Sequence, residues 1–109
     1  MAGAGAMITT EPLGPDTAAI VVGGEVTFSN VIELERALAN AEAANLVIDL
    51  TQVLFIDSSG LSTLITASAR GRVAIVLAPE NPPSIFRFRG VERLLALYPS
   101  REAALAGLS

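Results

Sequence analysis

At 109 residues the chain has room for one core, and with 51% hydrophobic but only 5% aromatic residues that core is aliphatic. Seven basic against eleven acidic residues leave a formal charge of −4, the wrong sign for a phosphate-backbone binder, so no nucleic-acid partner is expected. The absence of histidine and cysteine excludes disulfides, thiol catalysis, zinc-thiolate sites, imidazole metal ligation and a Ser-His-Asp triad.

The opening MAGAGAM lacks the basic region and long apolar core of a signal peptide, so residues 1–6 read as a flexible lead-in to one domain over 7–109, with the chain expected in the cytoplasm. No apolar run approaches the roughly 20 residues of a membrane helix, since LVIDL is broken by Asp49 and VAIVLA stops at Pro79. Membrane insertion is not expected. MITTEP and AAIVVGGEV predict two strands joined by a turn through PLGPD. Val31, Leu34, Leu38 and Ala41 then recur as one helical stripe, and Asn30 followed by Glu33 resembles a capping box. NLVIDL is a continuous aliphatic run of the kind buried on both faces of a sheet.

After the SSG corner, Leu61, Leu64, Ile65 and Ser68 share a helical face that ends at Gly71. RVAIVLAP is a second buried strand, stopped by its proline. PPSIFRFRG reads as a short helix, although the alternation from Ile85 to Arg89 can also be drawn as a strand. LLALYP supplies a last short strand, and Ser100 caps a final helix, REAALAGL. The order ββαβαβαβα predicts an α/β domain with helices packed on a mixed central sheet. Gly23-Gly24 lacks the spacing and lysine of a phosphate loop and reads as a strand-end turn. The acids Glu11, Asp16, Asp49 and Asp57 show no metal-loop spacing, so no metal and no cofactor are expected.

FIDSSGL, residues 55–61, is the stretch richest in polar chemistry. With Asp57 as N-cap, its carboxylate accepts from first-turn amides while Ile56 and Leu61 form a hydrophobic staple. Ser58 and Ser59 then occupy the first two helical positions, where short polar residues are common. Against that ordinary reading stands the location, because open α/β sheets carry their working groups at the carboxyl ends of strands. Neither serine has a base to activate it, and DSSGL does not match the G-x-S-x-G elbow of hydrolases. An exposed hydroxyl at a helix N-terminus is a better substrate than nucleophile, since a phosphate there meets the positive end of the dipole.

VIDLTQVLFIDSSGLSTLI, residues 47–65, together with the element order from about Met7 to Leu108, resembles the STAS family and in particular the bacterial anti-sigma factor antagonists. The resemblance implies a STAS fold, α/β, whose mixed central sheet has helices packed mainly on one side. It implies a binding protein rather than an enzyme, either a monomer or a weak dimer. The implied partner is an anti-sigma factor of the histidine-kinase-like ATPase type, which the unphosphorylated chain would bind so that a sigma factor is released. That partner would act as a serine kinase on Ser58, and a metal-dependent serine phosphatase would reverse the change. Glu25, Thr27, Asp57, Ser58, Ser59 and Gly60 are the implied partner-binding residues. Thr27 departs from the pattern, since family members usually carry an acid after G-E-L. The same likeness also suits a structural STAS module in a stress-sensing scaffold, or an accessory subunit of a lipid transporter.

Overall fold

The computed structural model describes residues 5–109. Strands β1 (Ala6–Pro12) and β2 (Thr17–Val26) form the expected antiparallel hairpin, in register from Ala6 opposite Gly24 to Pro12 opposite Ala18. Strands β3 (Asn45–Ile56), β4 (Arg72–Val76) and β5 (Leu97–Tyr98) add in parallel, giving one five-stranded mixed sheet in the order β1-β2-β3-β4-β5. Helix α1 (Val31–Asn40) connects β2 to β3, and α2 (Ser58–Arg70) connects β3 to β4. A 3-10 turn at Ser84–Arg87 and the one-turn α3 (Val91–Leu94) lead to β5, and α4 (Arg101–Leu108) closes the domain.

Alternation along the three central strands divides the core into two layers. Ile20, Ile48 and Ile75 face Leu34 of α1 and Leu64 of α2, in a cluster joined by Phe86, Val91 and Leu95. Ala19, Val47 and Ala74 face the other way, against Ala104 of α4. Large branched residues therefore meet α1 and α2, while smaller ones let α4 lie close to the opposite face. The expected sidedness holds, with α4 as the helix on the far side. Deleting the fully buried Leu64 side chain would cost about 2–5 kcal/mol, a large share of a small domain's stability.

Several sequence expectations change. Residues 1–4 of the expected lead-in lie outside the described residues, and Ala6, assigned to it, opens β1. Gly23-Gly24 is not a strand-end turn but sits inside β2, where Gly24 takes a left-handed φ of 86°. The sheet register shifts on both sides of that pair, and 12 residues of β3 run beside 10 of β2. The extra residues lie on β3, and Gly24 beside them on β2 takes a positive-φ backbone that glycine adopts freely. The short helix read in PPSIFRFRG is present as a 3-10 turn over Ser84–Arg87, with Phe86 buried in the core. Of LLALYP only Leu97 and Tyr98 pair, since Leu94 still belongs to α3.

Two features can be tested through stability. Gly60, buried in the first turn of α2, lets the helix start directly on the strand ends; a Cβ there would lie 2.5 Å from Ile56 Cγ1 and 3.0 Å from Val26 Cγ1. Overpacking of this kind costs about 1–3 kcal/mol, more than the helix propensity that alanine adds, so Gly60→Ala should lower the urea midpoint. An unchanged or higher midpoint would show that the corner has slack. On the far face, the Arg101 guanidinium reaches Glu11 Oε1 of β1 at 2.6 Å and Asp49 Oδ2 of β3 at 3.2 Å. Burial alone would push the Asp49 carboxyl up, but hydrogen bonds from Thr51 Oγ1 (2.7 Å) and Thr51 N (3.0 Å), with Arg101, outweigh it and hold the group below its ordinary value. A depressed folded-state value stabilises above the unfolded value, about 3.9, and that contribution fades as pH falls through the lower folded one. Urea midpoints taken from pH 6 to pH 3 should therefore fall less steeply for Asp49→Asn than for the native chain. Identical acid limbs would contradict this role.

Candidate functional site

The corner between β3 and α2 is organised around one carboxylate. Asp57 is the N-cap of α2, with extended backbone at φ −94°, ψ −176°. Its Oδ1 accepts from Ser59 N at 3.0 Å, Gly60 N at 3.2 Å and Ser59 Oγ at 2.5 Å. Its Oδ2 accepts from Phe28 N at 3.0 Å, across 29 residues of chain. The backbone of the same residue donates to Val26 O at 3.0 Å and accepts from Leu61 N at 3.0 Å. The Ser59 hydroxyl above all, and then the amides of Gly60, Phe28 and Ser59, hold the carboxyl below its ordinary value. Ile56 is buried and Leu61 packs on the same cluster, as the staple predicts.

This arrangement separates the two serines. Ser59 Oγ donates to Asp57, and Ser59 O accepts from Thr63 Oγ1 at 3.0 Å, so Ser59 is built into the cap. Ser58 is exposed and makes no side-chain hydrogen bond among the described residues. Its hydroxyl sits at the first turn, beside a carboxylate committed to four donors and with no base positioned to take its proton. The geometry suits a hydroxyl that is acted upon, not one that attacks a bound substrate. Gly60, among the implied partner-binding residues, is buried; the structure gives it a packing role and leaves little of it for a partner to touch.

Glu25 and Thr27 are brought to the corner by the end of β2. Glu25 is half-buried opposite Phe55 of β3. Thr27 pairs its hydroxyl with Ser29 Oγ at 2.8 Å, while its carbonyl accepts from Asn30 N and Val31 N. Asn30 does precede α1, but the expected capping box is absent. Its Oδ1 accepts from Thr27 N at 2.9 Å and its Nδ2 donates to Glu25 O at 2.9 Å, so the side chain braces the β2–α1 loop instead of the helix. With the Phe28 amide tied to Asp57, that loop and the α2 N-terminus form one surface.

Three apolar residues near the corner escaped sequence reasoning. Phe28 is 80% exposed in the loop, Leu54 is 79% exposed, and Phe55 is 45% exposed. Leu54 is skipped in the register between Val53 and Phe55, an extra residue turned outward by the bulge. Phe28 had one available signal, an aromatic set among the short polar residues of TFSN. A groove of about 600 Å³ lies between α1 and α2 toward their carboxyl ends and is lined by residues such as Leu38, Thr66 and Arg70; it does not reach Ser58. Among the described residues no cluster of His, Cys, Asp or Glu could hold a metal ion, and no helix is long and apolar enough to cross a membrane.

Among solved structures, the chain is similar to an anti-sigma factor antagonist from Mycobacterium paratuberculosis, with a TM-score of 0.86 at 23% identity over 98% of this chain and 97% of that one. It is similar to the anti-sigma factor antagonist SpoIIAA in its unphosphorylated form, with a TM-score of 0.66 at 17% identity over 94% of this chain and 96% of that one. A Shewanella loihica protein of the DUF3478 family, described as having a SpoIIAA-like fold, superimposes with a TM-score of 0.58 at 19% identity, covering 100% and 98%. Comparison with curated proteins gives no match. Likeness at these identities establishes the shared fold. The STAS domain profile adds sequence to it, matching residues 12–104, from the last residue of β1 into α4 and across the whole capped corner, and on that match the chain belongs to the STAS domain family.

Proposed function

We propose that the chain is an anti-sigma factor antagonist whose unphosphorylated form binds an anti-sigma factor of the histidine-kinase-like ATPase type in the cytoplasm and so releases a sigma factor. The observation that carries this reading is the division of the serine pair, with Ser59 Oγ held by Asp57 at 2.5 Å and Ser58 exposed beside it. Similarity to structures described as anti-sigma factor antagonists supports the partner class. Thr27, neutral where an acid is usual in the family, tunes which such partner fits.

The switch is electrostatic. The partner, acting as a serine kinase, transfers the γ-phosphoryl group of its ATP to Ser58 Oγ; the hydroxyl proton leaves and ADP is the product. The phosphate adds roughly −1.5 to −2 charges next to Asp57, already held ionised by its donors. A partner surface that fits the neutral hydroxyl then buries an unpaired negative cluster, at a cost of several kcal/mol. Each 1.4 kcal/mol is about tenfold in affinity, so the switch spans roughly nanomolar to micromolar binding. A metal-dependent serine phosphatase restores the binding form.

Titration calorimetry against each purified ATPase of this type from the same organism tests the reading. Ser58→Ala should bind one of them as the native chain does, and Ser58→Glu should bind it at least about a hundredfold more weakly. Native-like affinity for the glutamate variant, or no binding by the native chain, would contradict it.

A further inference from the structure

The corner presents more than a hydroxyl. Phe28 is 80% exposed, among the most exposed of the large apolar side chains, and its loop is fixed on both sides. Its own amide is held by Asp57 Oδ2 at 3.0 Å, and Asn30 ties the loop back to Thr27 N and Glu25 O at 2.9 Å each. Ile32, in the first turn of α1, is a second exposed apolar side chain on this segment, at 51%. An aromatic ring on a braced loop loses little conformational freedom when it is covered, which is what an interface anchor requires.

We infer that Phe28 is the anchor by which the anti-sigma factor is selected, inserting into an apolar pocket of that partner. The inference rests on the proposed antagonist function and names the recognition chemistry of the same site. The occupant follows from connectivity: Phe28 and the residue preceding Ser58 share one carboxylate, so a protein that closes over the Ser58 hydroxyl also covers Phe28. Contact energy at Phe28 and repulsion at phosphorylated Ser58 then act on one interface. The ring supplies affinity and selects among ATPases of one fold, and the phosphate sets whether that affinity is available.

Three variants are titrated into the ATPase that binds the native chain, with thermal melts and size-exclusion profiles recorded for each. Phe28→Ala should weaken binding about tenfold or more at unchanged melting temperature, because the ring is exposed. Phe28→Tyr should bind within a few-fold of the native chain. Phe88→Ala, removing a 66% exposed ring in the segment between the 3-10 turn and α3, should bind as the native chain does. If Ser58→Glu blocks binding while Phe28→Ala binds within twofold of native, the anchor is overturned and the antagonist reading stands. If Phe28→Ala instead changes self-association and leaves ATPase affinity intact, the ring meets a second copy of this chain and the inference fails. If the native chain binds no ATPase, the function and the anchor fall together.

Discussion

One carboxylate joins the parts of this molecule that matter for recognition. Asp57 caps α2 through two amides, holds the second serine by its hydroxyl, and reaches back to the loop that leaves β2. Together these donors fix the start of α2 relative to the loop that leads into α1. Without that carboxylate, the β2–α1 loop and the serine pair would be two separate surface features. With it, they form one rigid patch on which one serine is held and the other is exposed.

The sheet decides where that patch stands. Strands β2, β3 and β4 bury branched aliphatic side chains beneath α1 and α2 and smaller ones beneath α4, which leaves β3 to run well beyond the end of β4. Its excess length over β2 is absorbed by two register shifts near Gly23 and Gly24. The far end of β3 therefore projects, carrying Leu54 outward and delivering Ile56 into the core directly before the cap. Gly60 completes the joint by letting the first turn of α2 rest on Ile56 and Val26. Packing, bulges and cap thus form one chain of cause from an aliphatic sequence to an exposed serine.

Much of this was legible in the residues because its chemistry is local. An aspartate before a helical stripe caps whatever helix follows, and Asp57 and Ser100 both do so. The stripes of α1 and α2 and the glycine stop at Gly71 needed only periodicity. What stayed hidden depends on where distant residues lie. Asn30 could serve its helix or its loop, and the carbonyl of Glu25 and the amide of Thr27 decided for the loop. Gly23-Gly24 looked like a turn because nothing in the pair reveals that a longer neighbour must be accommodated. Phe28 gained meaning only when its amide was found on Asp57, and the inequality of Ser58 and Ser59 lies in hydroxyl geometry that two identical letters cannot express.

The central claim is that Asp57 withholds one serine and leaves the other available. Incubating the native chain with the proposed anti-sigma factor kinase and ATP, then mapping phosphate by fragmentation mass spectrometry, tests this directly. The account predicts phosphate on Ser58 and none on Ser59. Phosphate on Ser59, or equal modification of the two, would contradict it.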